Sequence, residues 1–273
     1  MKTGWINIFI LSVLMASGVE ALEFQGEWQQ GAVLRGQVEP GTKVSFLGRQ
    51  VRVAEDGVFV IGLGRDAAKQ VTVITEVKGQ EPQEHQFSVK QREYRIQRVE
   101  GVPAKTVNPP ADQLARIRKE SALARKARKV DSTRQDFREQ FEWPLTGPIT
   151  GVYGSQRYYN GEPRRPHFGV DVARPTGTVV VAPASGKVLL AYDDMFFSGG
   201  TLIVDHGHGL SSSFIHLSKI LVEEGQEVKL GDPIAEVGAT GRVTGPHLDW
   251  RMNWFNQRVD PQLLVGPMPK LAE

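Results

Sequence analysis

The chain has 273 residues, 40% hydrophobic and 23% charged, which suits one or two globular domains and excludes a collagenous or wholly disordered polymer. Thirty-three basic side chains meet 31 acidic ones, and the net charge of +2 gives no electrostatic footprint for nucleic acid. There is no cysteine, so disulfides, thiolate-bound zinc, iron–sulfur clusters, a thiol nucleophile and a lipidated N-terminal Cys are all excluded.

Residues 1–21 carry the pattern of a secretory signal peptide. Lys2 supplies a positive start, Ile6 to Ala16 an apolar stretch, and Val19-Glu20-Ala21 a small-x-small cleavage site. The stretch is shorter than the ~20 residues that cross a bilayer. Export to the periplasm or cell envelope is expected, with no membrane span after cleavage.

Residues 22–98 read as a β-sandwich-like domain. Apolar residues alternate or cluster in Gly36–Val38, Lys43–Leu47, Gln50–Val53, Val58–Ile61, Val71–Val77 and His85–Val89. Pro40-Gly41, Leu47-Gly48 and Asp56-Gly57 mark turns between them. No cluster of metal-ligating or acid–base residues lies here, so a binding or spacer role is expected. Residues 99–110 form a linker whose three prolines oppose helix and central strand alike.

Residues 111–141 predict one connecting helix. Asp112 can cap it, Leu114, Ile117, Leu123 and Val130 fall near helical spacing, and no Gly or Pro intervenes before Pro144. Its middle is basic, with Arg116, Arg118, Lys119, Arg125, Lys126, Arg128 and Lys129. That run is either a solvated face or a contact surface for an anionic polymer.

Residues 142–268 form a second β-rich unit, followed by a tail at 269–273. Its strands are short and punctuated by glycine, from Val179–Val181 through Gly186–Ala191, Thr201–Asp205 and Ser211–Ile215 to Pro233–Val237. There is no βαβ alternation and no Gly-rich phosphate loop.

Five of the six histidines fall in this unit. Clustered His and Asp without Cys point to a hydrolytic metal site or to general acid–base chemistry. His167 and Asp171 are four apart, which on an extended strand places both on one face. His247 and Asp249 share a face by the same alternation, with Trp250 turned toward the core. Each pair could equally be an ordinary His–Asp hydrogen bond. His216 follows a Ser-rich strand and, read alone, suits a packed histidine. His206 and His208 read as hairpin-tip residues, with surface metal binding as a minor reading. Ser211-Ser212-Ser213 lacks a Gly-x-Ser-x-Gly elbow, which argues against a serine hydrolase.

Three ordered segments resemble the lysostaphin-type zinc metallopeptidases of family M23, also called the LytM domain. They are PHFGVDVARPTGTVVVAPASGKV, GGTLIVDHGHGLSSSFIHLSKI and EEGQEVKLGDPIAEVGATGRVTGPHLDWRMN, and they cover about residues 142–268. The resemblance implies a small antiparallel sheet bearing one Zn2+ ion. By motif, His167 and Asp171 would be metal ligands and His216 and His247 the catalytic pair. Asp249 stands where the family has a third ligand, His. Aspartate is a competent zinc ligand. Two carboxylates would make the site less positive, so a slower metalloendopeptidase or a harder metal is expected. Tyr158 or Tyr159 could donate to the oxyanion. The implied substrate is bacterial peptidoglycan, cut in its cross-links or stems. The alternative is a degenerate module that binds the wall or activates a cell-wall amidase.

Overall fold

A computed structural model describes residues 22–99, 111–159, 161–163 and 165–269. The signal-like residues 1–21 and nearly all of the proposed linker lie outside the described residues.

The N-terminal unit holds β1 (Glu23–Gln25), β2 (Val33–Gln37), β3 (Lys43–Phe46), β4 (Arg49–Val51), β5 (Val58–Gly62), β6 (Gln70–Glu76) and β7 (Gln83–Ser88). They form two antiparallel sheets, β1-β2-β5 and β4-β3-β6-β7. Alternation dictates the arrangement. In β6, Val71, Val73 and Thr75 are buried while the residues between them are more exposed. Leu34 and Phe59 from one sheet and Val44, Phe46 and Val73 from the other lie in one hydrophobic cluster, each at most 1% exposed. This is the expected sandwich-like unit.

Its edge does not fall cleanly at residue 98. Strand β8 (Ile96–Val99) runs parallel to residues Gln156–Tyr159 of the second unit. The core is also continuous: the Phe46 ring meets Trp254 at 5.9 Å, and a Cβ on Gly62 would lie 2.5 Å from that of Trp254. The two units are therefore fixed to one another by packing.

The connecting helix is shorter than its periodicity predicts. A 3-10 turn, Ala111–Gln113, contains Asp112, and α1 spans only Leu114–Ala127. No breaker stops it. Val130, Ser132 and Thr133 are weak helix formers, and tertiary bonds claim the segment instead. Arg52 Nε donates to Asp131 at 2.8 Å, the His208 amide donates to the Ser132 carbonyl, and Arg138 grips Asp56 with two bonds. Phe137 and Phe141 then bury in the core.

The second unit adds β9 (Ile149–Gly151), β10 (Gln156–Tyr159), β11 (Glu162–Pro163), β12 (Val170–Ala173), β13 (Val179–Val181), β14 (Gly186–Met195), β15 (Gly199–Gly207) and β16 (Leu210–Leu217). It continues with β17 (Lys219–Ile220), β18 (Glu227–Val228), β19 (Pro233–Glu236), β20 (His247–Trp254) and β21 (Gln257–Val259). The main sheet has the order β18-β14-β15-β16-β20-β12-β9, with β21 paired to β20. The whole is mainly β, with α1 as the one α-helix among the described residues. No described helix is long and apolar enough to cross a membrane.

Strand β20 divides its residues by face. Leu248, Trp250, Met252 and Trp254 are at most 2% exposed and belong to the core. His247, Asp249, Arg251 and Asn253 take the opposite face by alternation. Helix α1 lies on that face over neighbouring strands, where Ala127 clusters with Leu190, Met195 and Ile203.

Arg92 Nη1 donates to Asp260 Oδ2 at 2.8 Å, joining the N-terminal unit to the end of the sheet. Asp260 is 2% exposed and Arg92 25%. Arg92→Met should lower unfolding stability by about 2 kcal/mol in urea denaturation, the low side for a broken buried pair because Arg92 reaches solvent. An unchanged midpoint would show that the pair does not tie the units together.

Candidate active site

Asp171 on β12 and Asp249 on β20 sit directly opposite each other in the antiparallel register. His167 is not on the strand, contrary to the extended geometry expected for residues 167–171; it precedes β12 by three residues. Two backbone bonds hold it, from its amide to Ser155 (2.7 Å) and from the Gly154 amide to its carbonyl (2.8 Å). Its Nε2 lies 3.0 Å from Asp171 Oδ1 and 3.3 Å from Asp249 Oδ2. One ligand atom from each residue falls within 4.8 Å of the others, a set able to hold a metal ion.

Two glycines let the carboxylates approach. A Cβ on Gly151 would sit 2.1 Å from Asp171 Oδ2, and one on Gly169 would sit 2.4 Å from Asp249 Oδ1. Asp171 Oδ1 is buried and accepts no well-directed hydrogen bond. A buried carboxylate oxygen left without a partner, with a second carboxylate and an imidazole nitrogen within 4.8 Å, is chemistry that suits a divalent cation.

His216 and His247 complete the cluster, with ring centroids 5.0 Å apart. His216, the penultimate residue of β16, has φ +68°, an uncommon conformation for a residue with a side chain that its surroundings must hold. Its amide is tied to the Ser198 carbonyl at 2.8 Å, and its Nδ1 donates to the Thr240 carbonyl at 2.9 Å. His247 Nδ1 donates to the Gly245 carbonyl at 2.8 Å, and its Nε2 lies 3.8 Å from Asp171 Oδ1. His167 Nδ1 faces the Val152 carbonyl at 3.3 Å. A carbonyl can only accept, so each imidazole carries its proton on Nδ1 toward the backbone. In neutral His216 and His247 this leaves the Nε2 lone pair free. Burial lowers the His216 pKa, which keeps that ring neutral.

Sequence reasoning missed Arg251. Its Nε donates to Asp249 Oδ1 at 2.9 Å and its Nη2 to Oδ2 at 2.5 Å. The signal was available, since residues two apart on a strand share a face. Burial opposes ionisation of Asp249, but Arg251 and His167 hold its carboxyl far below the usual range. The sequence leads one to expect a less positive site than one carboxylate and two histidines would make, and Arg251 bears on that charge balance. Arg251 returns one positive charge, so its set with His167, Asp171 and Asp249 carries the charge of a one-carboxylate site.

The remaining candidates lie elsewhere. His206 is fully buried, with Nδ1 against the Ser185 carbonyl (2.7 Å) and Nε2 against Ser212 Oγ (2.8 Å). His208 occupies the turn after β15 at φ +49° and is 2% exposed. Neither is a surface metal residue. Arg98 stacks over the Tyr158 ring at 5.2 Å, and the Tyr159 side chain lies outside the described residues. A cleft of about 730 Å³ opens between the two units and reaches this neighbourhood through Phe168 and Arg258.

The comparisons with known proteins name the class this geometry belongs to. Peptidase family M23 matches residues 165–261, which hold all five side chains. A crystal structure of a candidate M23 peptidase from Pseudomonas aeruginosa is 31% identical, with a TM-score of 0.70, covering 88% of this chain and 96% of that one. The chain belongs to peptidase family M23, and the shared architecture extends into its N-terminal unit. Peptidoglycan DD-endopeptidase ShyB of Vibrio cholerae is 40% identical over 105 residues, which are 38% of this chain and 24% of ShyB. Murein hydrolase activator EnvC of Escherichia coli is 36% identical over 129 residues, 47% of this chain and 30% of EnvC. The matches thus span a quarter to a third of these curated relatives.

Burial opposes charge on His167, but Asp171 and Asp249 outweigh it and push the imidazole up to about 10. That lies above the unfolded value of ~6.5. The pairing therefore stabilises the metal-free fold fully below pH ~6.5 and is lost as pH rises through about 10. Chelator-treated protein should lose melting temperature across that window, and Asp171→Asn should flatten the slope. A profile already flat in the unsubstituted chain would exclude the paired imidazolium.

Proposed function

We propose that this chain is a zinc-dependent endopeptidase that hydrolyses peptide cross-links or stems of bacterial peptidoglycan in the cell envelope. One observation carries the reading: two carboxylates and three backbone-anchored imidazoles converge on one face of the sheet. His167, Asp171 and Asp249 would hold the ion. When bound, such an ion polarises the scissile carbonyl and makes water a nucleophile near neutral pH.

The chain's own groups supply the proton handling. His216 accepts the proton of the attacking water at Nε2, because its Nδ1–H is committed to Thr240. His247, beside it and anchored through Gly245, offers a second N–H at Nε2 in its imidazolium form, and in that form it would donate to the oxygen of the tetrahedral intermediate. Arg251 holds Asp249 ionised and in place. ShyB, named a peptidoglycan endopeptidase, supports the substrate class.

The same Arg251 contact favours a second reading. A carboxylate satisfied by a guanidinium can serve a module without metal, and EnvC is named an activator rather than a hydrolase.

Incubation of the purified protein with cross-linked peptidoglycan separates the two. The peptidase reading expects loss of cross-linked fragments by mass spectrometry, abolished by chelator and restored by zinc. His216→Ala should lower the rate at least about 100-fold. Intact cross-links under every metal supplied would overturn it in favour of the activator reading.

A further inference from the structure

The face beside the candidate metal centre carries positive charge that the proposed chemistry does not use. Cross-strand register defines the place. Ser213 pairs with Arg251, Ser211 with Asn253, and Asn253 with Arg258. Directly paired residues share a face, so Ser211, Ser213, Arg251 and Arg258 lie on the side that bears Asp249. Helix α1 covers neighbouring strands on this same face, and Arg128 caps its C-terminal end.

The charges here are not balanced. Arg128 makes no ion pair or hydrogen bond with its side chain among the described residues, and the charges acting on it are Arg251 and Arg125. Burial and these neighbours lower it to about 10. Arg258 Nη1 donates to Asn253 Oδ1 at 3.0 Å and its guanidinium lies 5.8 Å from the centre of the Phe168 ring, with no carboxylate in contact among the described residues. Burial, Arg128 and Arg251 lower it to about 9. The one carboxylate acting on Arg258 is Asp249, which Arg251 already holds with two bonds. Below them, the hydroxyls of Ser211 and Ser213 are buried without a partner. Half-buried like charges and orphaned hydroxyls cost free energy that an arriving anion would recover.

We propose that Arg128, Arg251 and Arg258, with Ser211 and Ser213, form an anion subsite that receives a free carboxylate of the peptide to be cut. It rests on the peptidase reading for the identity of that peptide. A guanidinium matches a planar carboxylate in a fork. Its place along β20, one same-face position beyond Asp249, sets the carboxylate beside the bond presented to the metal centre. The C-terminal end of the basic helix thus acquires a specific partner, a substrate carboxylate, instead of a diffuse polymer.

Binding to chelator-treated full chain tests this without catalysis. The probes are N-acetyl-D-alanyl-D-alanine and its C-terminal amide, titrated by NMR at constant ionic strength. The acid should bind at least about tenfold tighter than the amide. Arg128→Gln and Arg258→Gln should each remove most of that difference, whereas Arg118→Gln, an exposed position on the same helix, should leave it. Arg128→Lys, which keeps the charge, should retain part of it and guards against a folding defect in Arg128→Gln. Equal binding of acid and amide, binding of neither, or a difference that survives in both glutamine variants would overturn the subsite. Acid preference in a chain that never cuts peptidoglycan would refute the peptidase reading alone, and cutting without acid preference would refute the subsite alone.

Discussion

Two carboxylates face each other across adjacent strands, and everything around the site answers their repulsion. Like charges directly opposed in a sheet are destabilising. Asp171 and Asp249 are so opposed, and Asp249 is only 2% exposed. Water reaches Asp171 only in part and Asp249 hardly at all, so nearby cations take up the screening. His167 enters between them from a loop, and Arg251 clasps Asp249 from the next same-face position. The site is therefore organised by charge before any metal arrives. A divalent ion would take over from the His167 proton, which couples metal affinity to pH.

The histidines are positioned by backbone, not by other side chains. Thr240, Gly245 and Val152 each offer a carbonyl to an Nδ1. This aligns the Nε2 atoms with the carboxylates and spares the site a further layer of titratable partners. The cost appears at His216, whose φ of +68° is held by bonds to Ser198 and Thr240. Backbone strain of this kind persists only where the surroundings over-determine it, as these two bonds do.

Much of this was legible in the sequence, and the failures have physical causes. Strand alternation placed Trp250 in the core and Asp249 opposite it, because that argument is local. The same argument overreached at His167, which lies in an irregular segment that bends at Gly169 before β12 begins. Helix periodicity failed past Ala127 because Asp131, Ser132 and Arg138 find partners in distant segments. No local pattern reports such bonds. The parallel pairing of β8 with β10 is equally long-range. Arg251 is different: its alternation with Asp249 is readable from the sequence, but ligand chemistry by itself does not call for a cation beside a carboxylate.

Strand β20 shows how a period of two serves two purposes. Its even residues give Trp250, Met252 and Trp254 to a core shared with the N-terminal unit, where Phe46 and Gly62 lie against Trp254. Its odd residues give His247, Asp249 and Arg251 to the opposite face. Packing on one side thus fixes the height and orientation of the chemical groups on the other. A core substitution at Trp250 would shift Asp249 and Arg251 together, since neighbouring residues of one strand cannot move independently. The N-terminal unit reaches the candidate site in this sense, by bracing the far face of the strand that carries His247, Asp249 and Arg251.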